Sequence, residues 1–183
     1  METITVDTKP IEGQKPGTSG LRKKTQVFMG RHYLENYVQA IFDGIGGVAG
    51  KTLVVGGDGR YFNDRACQVI LRMAAANGTA RIIIGQNAIL STPAASNLIR
   101  KRGTDGGLIL SASHNPGGPN ADFGLKYNTP NGGPAPENVT DKIFAVTKTI
   151  TSYNIFEAQD IDLSTVGTTR MGAMEVEVVD PVA

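Results

Sequence analysis

One cysteine, Cys67, stands among 183 residues, so an internal disulfide and a multi-cysteine metal cluster are both excluded. A lone thiol suits a reducing compartment and reads as a small, buried helical residue. A surplus of either charge is also missing, because 18 Lys and Arg against 17 Asp and Glu leave a net charge of +1. No global field therefore favours nucleic acid, anionic lipid or a polycationic partner, and any ligand has to be recognised locally. No segment approaches the ~20 apolar residues that span a bilayer. The opening METITVDTKPIEGQKPG has no basic stretch leading into an apolar one. The expectation is a soluble, cytoplasmic chain that binds neither nucleic acid nor membrane, and there is no internal repeat.

What is present suits one domain, long enough to bury a core without staples. The 23 glycines lie mostly between apolar segments, as tight turns and close backbone approaches require. Leu34, Tyr37, Val38, Ile41, Phe42 and Ile45 recur at three- and four-residue spacing and predict a helix over 31–45. Thr52 to Val55 is a short β-branched run ending at Gly56-Gly57-Asp58, the pattern of a buried strand. Ala66, Val69, Ile70, Met73 and Ala74 return to helical spacing, with Asn63 expected as cap and Gly78 as stop.

Arg81 to Gly85 reads as a second buried strand. A third helix is expected from Thr92 as cap and Pro93 at the first helical position, through Ala94, Ala95, Leu98 and Ile99, to Arg100, Lys101 and Arg102 with Gly103 as terminator. Gly107 to Leu110 is a third strand. Asp122 to Tyr127 alternates and adds a strand free to be antiparallel, and 136–150 carries a further helix through Val139, Ile143, Val146 and Ile150. Strand and helix alternating in this way demand crossover connections, hence an α/β fold with a largely parallel sheet covered on both faces. Thr165 to Gly172 reads as polar and turn-like. Met174 to Val179 alternates again with no evident partner in the chain, either an edge strand or a segment that continues elsewhere.

The strongest chemical feature is the run Ser111 to Gly118, SASHNPGG, which joins the carboxyl end of a core strand to a loop of Gly, Asn and Pro. Ligands of open α/β sheets bind at such ends, and a serine there is bordered by amides able to face an anion. A strand-ending turn with ordinary turn residues is the plain alternative. Ser113 and His114 do not make a hydrolase dyad, since neighbours on an extended segment point to opposite faces, and no G-x-S-x-G elbow is present. Gly17 to Lys24, GTSGLRKK, combines flexible backbone, two hydroxyls and three cations, and is either a phosphate-binding loop or a solvated strand face. Gly44 to Gly50 follows a helix and precedes a strand, the wrong order for a dinucleotide loop. Asp58-Gly59-Arg60 offers one carboxylate, too little for a magnesium site. The sequons at Asn77 and Asn138 carry little weight without a secretion signal.

Together, GTSGLR at 17–22, GGDGRY at 56–61, LSTPAAS at 90–96, SASHNPGG at 111–118, DFGLKYN at 122–128 and NGGPAPE at 131–137 resemble the α-D-phosphohexomutase family, nearest its phosphoglucomutase branch. These motifs stand in the family's order and cover almost the whole chain. The resemblance implies a three-layer α/β/α first domain with a mixed, largely parallel sheet. It implies Ser113 as the phosphoserine, His114 and Lys126 as aids to proton transfer and phosphate binding, and Arg22 as a further catalytic cation. Thr18, Ser19 and Asn115 would join Arg22 and Lys126 around phosphate.

The implied reaction interconverts glucose 1-phosphate and glucose 6-phosphate through glucose 1,6-bisphosphate, with Mg²⁺ held partly by the phosphate oxygen of Ser113. Enzymes of the family have four domains, and their acidic metal loop, sugar contacts and substrate-phosphate grip lie outside the stretch matched here. The expectation is therefore residues 1–183 as domain one, with a core over about 10–153 and an extension over 154–183 toward an absent second domain. The isolated chain is expected to be inactive, with sugar phosphates as ligands and the missing domains in trans or self-association as partnerships. A truncated, non-catalytic binding or regulatory module is the alternative.

Overall fold

Short β-branched runs bounded by glycine, alternating with amphipathic stretches, build the chain seen in the computed structural model, which describes residues 2–112 and 117–182. In chain order the elements are β1 (Glu2–Asp7), β2 (Leu21–Lys24), α1 (Thr25–Phe28), α2 (Tyr33–Gly44), β3 (Thr52–Gly57), α3 (Asn63–Ala76) and β4 (Arg81–Ile89). There follow α4 (Thr92–Arg102), β5 (Gly107–Leu110), β6 (Asp122–Asn128), α5 (Glu137–Thr147), β7 (Ser152–Glu157), β8 (Gly167–Met171) and β9 (Met174–Val179).

Seven strands form one sheet in the order β2-β6-β5-β3-β4-β9-β8. β3 runs parallel to β4 and β5, and β4 parallel to β9. β6 is antiparallel to both β5 and β2, and β8 to β9. β2, β5, β3, β4 and β9 thus point one way and β6 and β8 the other, a mixed, mostly parallel sheet. A separate ribbon pairs β1 antiparallel with β7.

Alternation along the strands sorts side chains into two cores. Leu53 and Val55 of β3, Leu108 and Leu110 of β5, and Phe123 and Leu125 of β6 face Tyr37 and Ile41 of α2, Ile70 and Leu71 of α3, and Ile143 of α5. Val54, Ile83 and Ile109, one position out of phase, face the other way onto Ala95 and Ile99 of α4 together with Leu90. The three layers follow, with α4 the one helix on the second face among the described residues.

Several boundaries differ from expectation. Asn63 does not cap α3: the preceding residue, Phe62, takes a left-handed conformation at φ 77, and the Asn63 amide instead donates to the Ala88 carbonyl at 3.1 Å. Ser91, not Thr92, caps α4 by accepting the Ala94 N–H at 3.2 Å, which moves Thr92 and Pro93 one place into the helix. Gly103 ends it at φ 61, as expected of a left-handed terminator.

The largest correction concerns the last strand. Met174–Val179 has partners on both sides, parallel β4 and antiparallel β8, and Thr165 to Gly172 includes that second partner. Met174, Val176 and Val178 are buried in the main core. The pairing of β9 with β4 joins residues about ninety positions apart, as Ile82 with Val176, and a local period carries no information about it.

On the α4 face of β9 an ion lattice lies where apolar cover ends. Glu177 receives Arg102 at 2.8 Å and also Arg81, while Glu175 receives Arg81 and, at 3.0 Å, Arg170. Hydrogen bonds from Arg102 hold the Glu177 carboxyl below its ordinary 4.5, against the opposing effect of burial and with help from the charges of Arg102 and Arg81. A depressed carboxyl contributes stability that is fully present above its unfolded pKa and is lost as pH falls through its folded one. Glu177→Gln should therefore lower the melting temperature at pH 7, with the gap to wild type closing as pH drops below about 4. An unchanged gap across an acid titration would contradict this account.

Candidate active site

The two-residue tip Thr18-Ser19 folds between Gly17 and Gly20, whose amides and carbonyls bond reciprocally at 2.9 and 3.0 Å, and this turn feeds β2. With Leu21 buried in the main core, alternation turns Arg22 to the opposite, α4 face of the sheet. Across the ladder Arg22 stands opposite Gly124. A Cβ at Gly124 would lie 2.4 Å from the Ser111 carbonyl oxygen and 3.3 Å from Arg22 Cγ, so only glycine lets the Arg22 stem cross β6 beside the end of β5.

On the other flank the Asp58 N–H donates to the Leu110 carbonyl at 3.1 Å, and the Ser111 hydroxyl donates to Asp58 Oδ2 at 3.1 Å. Asp58, Ser111, Gly124 and Arg22 consequently form a transverse row over β3, β5, β6 and β2 at the carboxyl end of the parallel strands.

Lys126 sits one step from that row. It pairs with Ile109 of β5, on the same face as Arg22. Its neighbour across β2 is again glycine: a Cβ on Gly20, at φ +85, would come within 2.4 Å of Lys126 Cβ. Burial first, and then the like charge of Arg22, push the Lys126 ammonium below its ordinary pKa. An anion beside this half-buried pair would offset the cost that burial and the Arg22 charge impose on the Lys126 ammonium.

Arg22, Lys126 and the Thr18-Ser19 turn are thus brought together. Thr18 and Lys126 line the same narrow crevice with Gly17, Gly20 and Tyr37, and Ser19 is exposed at the tip. Ser113, His114 and Asn115 lie outside the described residues; on one side of them Ser111 belongs to the row, and on the other Gly117 lies against Arg60.

Sequence reasoning missed the Asp58–Arg60 pair. Arg60 Nε and Nη2 grip the Asp58 carboxylate at 2.8–3.0 Å, and Arg60 Nη1 donates to the Asp122 carbonyl at 3.0 Å. Burial raises the Asp58 pKa, but the hydrogen bonds and charge of Arg60, with the Ser111 hydroxyl, outweigh it and leave the carboxyl below its usual value. The available signal was GGDGRY itself, a charged pair directly after a strand of the parallel set, the position where ligand loops emerge.

Cavity size does not mark this site. A roomier cavity of about 470 Å³ opens between α2 and α3 beside Phe28, His32, Arg65, Arg72 and Tyr153, and none of the row lines it. Among the described residues no group of three His, Cys, Asp or Glu side chains could hold a metal ion, and the Asp58 carboxylate is already taken by Arg60 and Ser111.

The description "Phosphoglucomutase/phosphomannomutase, alpha/beta/alpha domain I" matches residues 13–154. The chain belongs to this family. As domain I it is 56% identical over 179 residues to a phosphoglucomutase of Rhizobium radiobacter, covering 98% of the chain and 33% of that relative. With a phosphoglucomutase of Schizosaccharomyces pombe the identity is 59% over 179 residues, covering 97% and 32%.

In structure, domain I superposes on the open form of the exocytosis-sensitive phosphoprotein pp63/parafusin, a phosphoglucomutase of Paramecium. The TM-score is 0.92 at 44% identity, over 98% of this chain and 35% of that one. A putative phosphomannomutase of Thermus thermophilus shares the fold at TM-score 0.62 and 22% identity, over 96% and 34%. The chain thus spans about a third of the length of the relatives it matches. Among the described residues no helix of domain I is long and apolar enough to cross a membrane.

Proposed function

We propose that this domain carries a phosphoserine at Ser113 and serves a phosphoglucomutase-type interconversion of glucose 1-phosphate and glucose 6-phosphate through glucose 1,6-bisphosphate. The observation that carries the reading is the pair of cations, Arg22 and Lys126, on one glycine-cleared face beside the end of β5, the strand that leads into Ser113. The names of the relatives support the same reading.

In the forward half-reaction the bond from phosphorus to the Ser113 oxygen breaks and a bond to a sugar hydroxyl oxygen forms. The hydroxyl proton leaves, and the serine oxygen gains one. His114 is the neighbour proposed to assist that proton transfer. Return of the other phosphoryl group from glucose 1,6-bisphosphate to Ser113 completes the cycle.

Phosphoryl transfer depends on positioning and on neutralising spread negative charge more than on covalent invention. Arg22 and Lys126 supply fixed positive charge at a site where the sheet backbone cannot relax away, and Thr18, Ser19 and Asn115 are proposed to add donors to the phosphate oxygens. Mg²⁺, when bound, would neutralise further phosphate charge. The described residues by themselves do not make its site, so its remaining ligands and the sugar contacts are proposed to come from the rest of a longer protein. By the same reasoning the isolated chain turns over little or no glucose 1-phosphate. A cytoplasmic location is proposed with it.

The alternative, a truncated, non-catalytic binding or regulatory module, rests on the domains that lie outside this stretch; the last strand no longer adds to it, because β9 is paired on both sides.

The test is incubation with glucose 1,6-bisphosphate labelled in phosphorus, followed by peptide mapping of the protein that contains this domain. Label is expected on Ser113 and absent in Ser113→Ala, which should also lose mutase activity by about 10⁴-fold or more. Label on another residue, or full activity in Ser113→Ala, would sink the assignment.

A further inference from the structure

We propose that Asp58 and Arg60 are positioning residues, a two-residue clamp that fastens the chain on both sides of residues 113–116 and so bears on phosphoryl transfer at Ser113. The functional meaning of the clamp rests on the phosphoserine reading above; its mechanical part does not.

On the entering side, the Asp58 N–H bonds the Leu110 carbonyl at 3.1 Å and the Asp58 carboxylate accepts the Ser111 hydroxyl at 3.1 Å. The last two positions before Ala112 are therefore tied to the end of β3 by one backbone and one side-chain bond. On the leaving side, Arg60 Nη1 donates to the Asp122 carbonyl at 3.0 Å. The backbone at Gly117 lies against the Arg60 stem, since a Cβ there would stand 3.0 Å from Arg60 Cβ. The two sides are joined by the carboxylate–guanidinium pair itself, with contacts at 2.8, 2.9 and 3.0 Å.

The Arg60 side chain is 9% exposed and the Asp58 side chain 31%. The guanidinium is thus largely withdrawn from water, where its planar fork can hold a carboxylate and a carbonyl in fixed directions. Further out, the 117–122 stretch is held by Gln26 to the Pro119 carbonyl at 2.9 Å and by the Thr25 hydroxyl to the Ala121 carbonyl at 3.1 Å. The clamp thus closes a frame that is anchored on α1 as well as on β3.

An error of about 1 Å in a reacting group costs on the order of 10²-fold in rate, so a device that fixes both flanks of a nucleophile acts on catalysis without touching substrate. Among the described residues the Arg60 fork engages Asp58 and Asp122, whereas the Arg22 charge bears on Lys126.

Hydrogen exchange of the chain, read by mass spectrometry peptide by peptide, tests the clamp whether or not Ser113 accepts phosphate. In Asp58→Asn and in Arg60→Gln, amides of 109–124 should exchange about ten-fold faster or more, with little change elsewhere and a small fall in melting temperature. The double variant should be no faster than the faster single one, because both remove one device. Arg60→Lys keeps the charge on one nitrogen, which cannot hold Asp58 and Asp122 together, and should restore one flank only. Arg72→Gln, which breaks the separate pair with Asp160, should leave 109–124 unchanged.

Rates in 109–124 within about two-fold of wild type, or a rise spread evenly over β3, β4 and β9 in step with a lower melting temperature, would overturn the clamp. If Asp58→Asn does not fold, Ser111→Ala decides the entering flank: faster exchange at 109–112 upholds it and an unchanged rate refutes it. Phosphoryl uptake at Ser113, measured in parallel, should slow by about ten-fold or more in Arg60→Gln. A wild type that takes up no label while the flanks still loosen refutes the proposed function and leaves the clamp standing. Uptake at the wild-type rate in every variant refutes the positioning role.

Discussion

In Lys126→Met, phosphoryl transfer at Ser113 should fall by about 10²- to 10³-fold, while the unligated domain melts at a higher temperature than wild type. Both effects follow from one arrangement. The ammonium is half-buried beside the Arg22 guanidinium, and burial together with that like charge holds its pKa below the ordinary 10.5. A lysine whose pKa is lower in the folded chain than in the unfolded one costs stability while it is charged in both states, and the cost fades as pH rises past its ordinary value. Methionine fills the space of the stem without the charge.

The stability gap between variant and wild type should therefore be open at neutral pH and close through the alkaline range. Inorganic phosphate should reverse the order in part, raising the melting temperature of wild type more than that of Lys126→Met, because only the native site gains from the anion. A variant that melts below wild type and still transfers phosphate at the native rate would remove Lys126 from the site.

Gly124→Ala should lower stability by about 2–3 kcal/mol, a fall of about 4–12 °C in melting temperature for a domain of this size. The added methyl would meet the Ser111 carbonyl oxygen at 2.4 Å and the carbonyl carbon at 3.1 Å, and backbone atoms of a neighbouring strand do not swing aside as a side-chain tip can. β6 cannot retreat, since Phe123 and Leu125 on either side are fully buried in the main core. Whatever strain is relieved must displace β5 or the Arg22 stem, so phosphate stabilisation should weaken along with the fold. Calorimetry with and without inorganic phosphate checks both parts, and an alanine variant that melts within about 1 °C of wild type would show that the strands have room.

The motifs were legible before the fold because their chemistry is local. Gly103 stops α4 where a cation-rich last turn and a glycine predicted a stop, and β5 runs over Gly107–Leu110 as its apolar run indicated. Failures occurred where a distant partner decided the outcome. Asn63 has the side chain of a cap, yet its amide is drawn to the Ala88 carbonyl from another element. Thr165 to Gly172 reads as a turn because its outward residues are polar, whereas Gly167–Met171 within it pair with β9. The single carboxylate of Asp58-Gly59-Arg60 offers no magnesium site, and nothing local announces the bonds of Asp58 and Arg60 to Ser111 and Asp122, more than fifty residues away in sequence.

By itself the sequence determined the alternation of helix and strand, the two out-of-phase apolar sets in each buried strand, and the order of the glycine, serine and lysine motifs. These depend on periods of 3.6 and 2 residues and on the conformational freedom of single residues. Only the tertiary structure decided that β9 enters the sheet between β4 and β8, and that Asp58, Ser111, Gly124 and Arg22 share one transverse row with Lys126 beside it. Strand neighbours are chosen by the burial of whole faces and by backbone pairing across long loops, forces that act on the assembled sheet and leave no mark in the spacing of any one segment.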